Sequence, residues 1–327
     1  MNPTARERLS LQFGARFSGD TVRPSSEEEL SSLLATLREL EEQPPAIRID
    51  RSLFDSVLSI SPRSGLLEVG AGMTLEAVER IAKGHGLTLG PLNPGARTQR
   101  VGEFLEGPWA GLRAVPGGRL EPLAMSVRVV LSNGQVYRSP NAPRSAAGPG
   151  LESLFFGGGG RLGLIVSAQL RCGPIPARSE DVTLAFPTPT DLVQALRFAL
   201  DDGAVIAEAQ LYRRASAHVV HARFAGTEAG AVKDANTLAR RASAHQGRLT
   251  DPDLPSWAAR SERELTWPEV IAALTAGRPL RLYRLAVETV LAELDTAEAP
   301  ELPRPHAALW SAVARLADPA LILGGER

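Results

Sequence analysis

The sequence predicts an α+β protein. Two hairpins carry this reading, one joining Val57–Ile60 to Leu66–Val69 through Ser61-Pro62-Arg63-Ser64-Gly65, the other joining Met125–Leu131 to Val136–Arg138 through Ser132-Asn133-Gly134-Gln135. Amphipathic helices interrupt the strands, and from Asp181 onward a β-α-β-β-α order forms a compact layer.

Taken in order, Met1–Asp20 is polar and has no apolar signal core. Ser25 or Ser26 can cap a helix whose first turn holds Glu27, Glu28 and Glu29, where the helix dipole favours negative charge. Leu30, Leu33, Leu34, Leu37 and Leu40 repeat at helical spacing, and Pro44 and Pro45 stop the run. Ala46–Asp50 reads as a short strand. Gly70-Ala71-Gly72-Met73 is a tight turn, and Thr74 caps a helix over Leu75–Lys83 that Gly84 or Gly86 ends.

Pro91–Gly118 is rich in Gly, Pro and Arg without periodicity, and reads as a long irregular binding loop. A second loop spans Ser139–Gly150. Gly157–Gly160 is a turn rather than a phosphate cradle, because a strand (Leu162–Leu170) follows it and not a helix N-terminus. Strands are expected over Asp181–Phe186, Val205–Tyr212, Ala217–Phe224 and Arg281–Val287. Helices are expected over Asp191–Leu200, Glu228–His245 and His306–Ala317, with a loop and a helical piece over Asp253–Glu264. Gly173-Pro174-Ile175-Pro176 marks a boundary, which divides the chain into 1–177, 178–295 and a C-terminal segment 296–327.

Among 327 residues the net charge is −1, so no global field holds nucleic acid or an anionic membrane surface. No apolar run reaches the length of a membrane span, and a cytoplasmic protein is expected. Cys172 is the single cysteine, which rules out an internal disulfide. It reads as a half-buried small residue. No metal-ligand spacing is present. His218 and His221 lie three apart in a strand-like run, which sends them to opposite faces, and both read as structural.

Several segments, in order, resemble one family. They are Val22–Leu30, Ser59–Leu75, His85–Gly90, Arg128–Gly134, Pro143–Pro149 with Leu154-Phe155, and Gly160-Arg161-Leu162-Gly163-Leu164-Ile165. Together they are similar to the FAD-linked oxidases of the vanillyl-alcohol-oxidase or p-cresol-methylhydroxylase (PCMH) type, nearest to glycolate oxidase FAD-binding subunits and alkyl-dihydroxyacetonephosphate synthases. The resemblance implies a PCMH-type FAD-binding domain of two α/β subdomains over 1–177 and a small α+β cap over 178–295, with the C-terminal segment returning to the first domain. It implies FAD as cofactor, hydride transfer to the flavin, and cofactor contacts at Pro94, Val101, Gly102, Gly163 and Ile165. Its partners would be a catalytic FAD-linked oxidase or iron–sulfur subunit, and its substrate a small molecule such as a 2-hydroxy acid.

The chain departs from that pattern. The family's Gly-rich diphosphate loop would follow Ile49, but Asp50-Arg51-Ser52-Leu53-Phe54-Asp55 follows directly, and no Gly occurs between Asp20 and Gly65. In Arg100-Val101-Gly102-Glu103-Phe104 only Val101 and Gly102 match the family's Thr-Val-Gly-Gly. Glu103 is expected to place a carboxylate where the diphosphate would lie. Arg97, Arg100 and Arg113 are the available replacement cations. Both readings therefore stand: a 2-hydroxy-acid oxidoreductase subunit with weakened or lost FAD binding, or a non-catalytic subunit that keeps the fold. His218, His221, Tyr212, Tyr283 and His306 are candidate bases that match no motif. No covalent flavin-attachment histidine is identified.

Overall fold

The computed structural model describes residues 3–39, 47–90, 92, 94–107, 112–115, 119–142, 150–254, 261–285 and 289–294. The expected helix His306–Ala317, the 296–327 segment and the Pro143–Pro149 stretch lie outside the described residues.

The first hairpin, Val57–Ser61 with Leu66–Gly70, joins Gly163–Arg171, Ala124–Leu131 and Val136–Arg138 in a five-stranded antiparallel sheet. Alternation along these strands gives the sheet two faces. Leu67, Val69, Val127, Val129, Ile165 and Leu170 pack on the helix Leu75–Gly84 and on Val101–Glu106. On the other side Val130, Leu164 and Val166 pack on Leu30, Leu33, Leu34 and Leu37 of the helix Glu27–Glu39. That helix flanks a small three-stranded sheet of Phe17–Ser18, Thr21–Val22 and Arg48–Ile49, whose last pair is parallel. Ser26 caps it by accepting from Glu29 N–H at 3.2 Å, and Thr74 caps Leu75–Gly84 by accepting from Ala77 N–H at 3.2 Å.

A seven-stranded sheet follows, made from Arg248–Leu249, Arg178–Phe186, Ala217–Gly226, Glu208–Arg214, Leu280–Leu285, Thr289–Leu294 and Ser261–Thr266 in that spatial order. The helices Pro189–Asp201, Glu228–Ala244 and Trp267–Thr275 cover one of its faces. There Phe186, Leu211, Val220, Phe224, Leu280 and Leu282 meet Leu192, Leu196, Leu238 and Val270.

Two expectations are corrected. Pro91–Gly118 is not wholly irregular. It contains the helices Pro94–Arg97 and Val101–Glu106 and the strand Leu112–Val115, which pairs with Arg119–Pro122. The helices are too short for a periodic signal, yet Val101, Phe104 and Leu105 are buried. Asp253–Glu264 was expected to be loop and helix, but the strand Ser261–Thr266 begins within it. Its Glu262, Arg263 and Glu264 hide the strand pattern. The strand lies at the edge of the sheet. Two helices have no counterpart in the sequence reading, Pro3–Phe13 and Trp267–Thr275. The second carries a legible signal: Thr266 and Glu269 form a capping box, with Pro in the first turn.

Candidate functional site

The turn after Ile49 is short and tightly held. Asp50 accepts from Ser52 N–H at 2.9 Å and from Arg23 Nε at 3.1 Å. Arg51 then turns inward. Its guanidinium donates to both carboxylate oxygens of Glu106, at 2.5 and 2.6 Å, and to the Ile165 carbonyl at 2.8 Å. Glu106 Oε1 also accepts from Ile165 N–H at 2.8 Å. The side chains are 12% and 7% exposed, so this bidentate pair is largely out of water. Burial acts against the Arg51 charge, but the adjacent Glu106 carboxylate outweighs it and holds the guanidinium above its ordinary value.

The glycines around this turn serve chain-to-chain contact. A Cβ on Gly70 would collide with the Phe54 carbonyl and one on Gly72 with the Arg51 carbonyl, while one on Gly102 would stand 3.0 Å from Arg51 Nη1. Their amides are also used. Gly70 N–H donates to Ser56 O, Gly72 N–H to Phe54 O and Gly102 N–H to Ala71 O, each at 2.9 Å.

The sequence-expected cofactor residues fall around this arrangement. Val101 and Gly102 open the short helix that ends in Glu106, and both are buried. Gly163 and Ile165 lie on the strand Gly163–Arg171, with Ile165 at the register shift against Ala124–Leu131. Pro94 starts the helix Pro94–Arg97. Glu103 is engaged with its own helix. Its carboxylate turns back to accept from Arg100 N–H at 3.2 Å and is 57% exposed, so it caps the helix. Arg100 donates to Gly72 O at 3.0 Å, Arg97 is exposed, and the Arg113 side chain lies outside the described residues. Arg51, the cation that pairs with Glu106, was not among the expected ones. Neither was Glu106, 55 residues away in the chain.

A second polar cluster lies on the face of the seven-stranded sheet opposite its helices. Register sets Thr183, His221, Gln210 and Arg281 side by side on adjacent strands. Thr183 Oγ1 and His221 Nδ1 are 2.8 Å apart, and His221 Nε2 is 3.9 Å from Asp181. Glu208 receives Gln210 Nε2 at 3.3 Å and lies 3.1 Å from Arg281 Nε. Gln210 Oε1 is buried without a hydrogen-bond partner. His218 pairs with Phe186 on the helix-packed face, so the two histidines do lie on opposite faces. Tyr212 is buried, and its hydroxyl accepts from Asp253 N–H at 3.3 Å. The Tyr283 side chain and His306 lie outside the described residues. A third polar feature, a cavity of about 330 Å³ on the five-stranded sheet, is lined by Glu68, Ser126, Arg128, Arg138 and Gln169 among others. Its two arginines both pair with Glu27. Cys172 is half-buried beside Gly65.

Residues 21–139 match the family model of the FAD binding domain. The chain is 30% identical over 153 residues to mitochondrial D-2-hydroxyglutarate dehydrogenase of Bos taurus, covering 46% of this chain and 28% of that protein. It is 27% identical over 260 residues to mitochondrial cytochrome-type D-lactate dehydrogenase of Arabidopsis thaliana, covering 69% of this chain and 45% of that protein. It therefore matches less than half the length of these relatives. The backbone is similar to alkyldihydroxyacetonephosphate synthase, with TM-score 0.71 and 13% identity, over 98% of this chain and 79% of the other. It is also similar to substrate-bound p-cresol methylhydroxylase, with TM-score 0.68 and 13% identity, over 98% and 95%.

FAD is the cofactor of this domain family, and the match supports FAD binding. At the diphosphate end, however, the residues present do not fit it. A diphosphate needs free N–H donors or cations. Here the Gly70, Gly72 and Gly102 amides donate to chain carbonyls, and the Arg51 charge is matched by Glu106. This is a local departure in a chain whose residues 21–139 match the FAD binding domain model and whose fold is that of alkyldihydroxyacetonephosphate synthase and p-cresol methylhydroxylase.

Proposed function

We propose that the chain is an FAD-fold subunit of a 2-hydroxy-acid oxidoreductase of the glycolate type, working beside a flavin-carrying or iron–sulfur partner subunit. In this reading residues 1–177 form the cofactor-type domain and 178–295 the cap. Support for the substrate class comes from two relatives whose names specify D-2-hydroxyglutarate and D-lactate. The observation that carries the subunit reading is the Arg51–Glu106 pair, which follows Ile49 directly, at the point in the chain where the Gly-rich loop was expected.

The cap sheet supplies matching chemistry. His221 and Gln210 could accept from a substrate hydroxyl, and Arg281 could hold a carboxylate against them. Thr183 holds His221 through Nδ1, and Nε2 lies 3.9 Å from Asp181. Among the described residues no helix is long and apolar enough to cross a membrane.

The test is affinity isolation of the tagged chain from its own cells, followed by dye-linked oxidation of glycolate, D-lactate and D-2-hydroxyglutarate. The expected result is a co-isolated partner, a flavin spectrum in the complex and turnover of at least one of these acids. His221→Asn should lower that turnover by about 100-fold. A chain that is isolated alone and turns over none of the acids, with or without FAD, would overturn the reading.

A further inference from the structure

We infer that the Arg51–Glu106 pair is an internal substitute for a cofactor: it ties together three parts of the FAD-type domain and lets the chain fold and persist without flavin. This rests on the fold and not on the 2-hydroxy-acid reading.

Three separate parts of the domain meet at the pair. Arg51 follows the strand Arg48–Ile49 of the small sheet, Glu106 ends the helix Val101–Glu106, and Ile165 lies on an inner strand of the five-stranded sheet. The pair engages both backbone groups of Ile165, the N–H through Glu106 and the carbonyl through Arg51. A ligand seated on that strand would need the same donor and acceptor. The pair therefore competes for the seat with a bound molecule, at the effective concentration of a tethered group.

The surroundings close in the same way. Gly72 lies against the Arg51 and Ser52 carbonyls, and Gly102 against the guanidinium. Gly160, at φ +76°, lets the chain pass Glu106, with a Cβ position only 3.4 Å from Glu106 Oε2. Glycine at these points usually gives a ligand close access to backbone. Here the close neighbour is the chain itself. Leaving one partner of a buried pair alone is strongly unfavourable, so the plug does not open cheaply.

The experiment uses the purified full chain. FAD is added in excess, unbound flavin is removed, and visible absorbance and thermal melting are recorded. Glu106→Gln keeps an acceptor for Ile165 N–H but removes the charge. Glu106→Ala removes both. The wild-type chain should retain no flavin and melt at the same temperature with and without FAD. Glu106→Gln should melt several degrees lower and Glu106→Ala by about 10 °C or more. If Glu106→Ala does not fold, Glu106→Gln decides. Stoichiometric flavin on the wild-type chain with a raised melting temperature would overturn the inference. So would a Glu106→Gln variant that melts with the wild type. Neither result bears on which acids the isolated complex oxidises, so the two proposals fail separately.

Discussion

Two buried polar clusters in this molecule differ in how completely they are satisfied. In the FAD-type domain, Arg51, Glu106 and the Ile165 backbone meet one another's hydrogen-bonding needs. In the cap, the Thr183–His221–Gln210 row is held at one end, while Gln210 Oε1 stays buried without a partner. Native proteins leave few such atoms, because each costs roughly 1–3 kcal/mol. A closed polar cluster serves the fold.

The contrast can be broken or sharpened by substitution. After the Glu106 variants, the largest effect is expected from Gly72→Ala, whose Cβ meets the Arg51 and Ser52 carbonyls. It should destabilise by about 1–3 kcal/mol, read by thermal or denaturant unfolding. Next is Thr74→Ala, in the same domain but outside the pair. Loss of its cap should cost about 1 kcal/mol. Gln210→Met should change stability by less than about 1 kcal/mol, since it trades a bond to Glu208 for the removal of an unpaired carbonyl. If it costs as much as Gly72→Ala, the two clusters are alike and the contrast fails.

The smallest effect is on the acid side. Burial, reinforced by Arg213, lowers the His218 pKa below its ordinary 6.5. The folded state therefore resists its protonation. Its contribution is complete above that ordinary value and is lost as pH falls through it towards the folded pKa. Glu29 is held down from 4.5 to about 2, chiefly by its hydrogen bond from Arg16. Its contribution is complete above 4.5 and disappears as pH falls to about 2. The pair is one-third exposed, so this second loss should be small and weakened further by salt. Unfolding curves across acid pH, repeated on His218→Asn and Glu29→Gln, separate the two.

Much of the scaffold was legible because it depends on local chemistry. The Leu30, Leu33, Leu34 and Leu37 spacing announced the helix that all four bury. Thr74 announced a cap that forms as expected, and Asn133-Gly134 a hairpin in which Gly134 takes φ +80°. The missing Gly-rich loop was also visible in the sequence. What replaces it was not. No periodicity or turn chemistry connects Arg51 with Glu106, and each reads locally as a charged surface residue. The capping role of Glu103 was not legible for a related reason, since it depends on the direction of a helix too short to announce itself. The row across the cap sheet depends on register between distant strands, which alternation within one strand does not fix.

The buried pair also bears on how long the folded chain lasts. Arg51 reaches across 55 residues to Glu106 and 114 to Ile165. Contacts of such separation form only after long segments have been brought together, so they lock late in assembly. Interactions absent from the folding barrier act mainly on the rate of opening. Weakening the pair should therefore leave refolding speed almost unchanged and shorten the lifetime of the native fold, which makes Arg51 and Glu106 a latch on persistence more than a guide to folding.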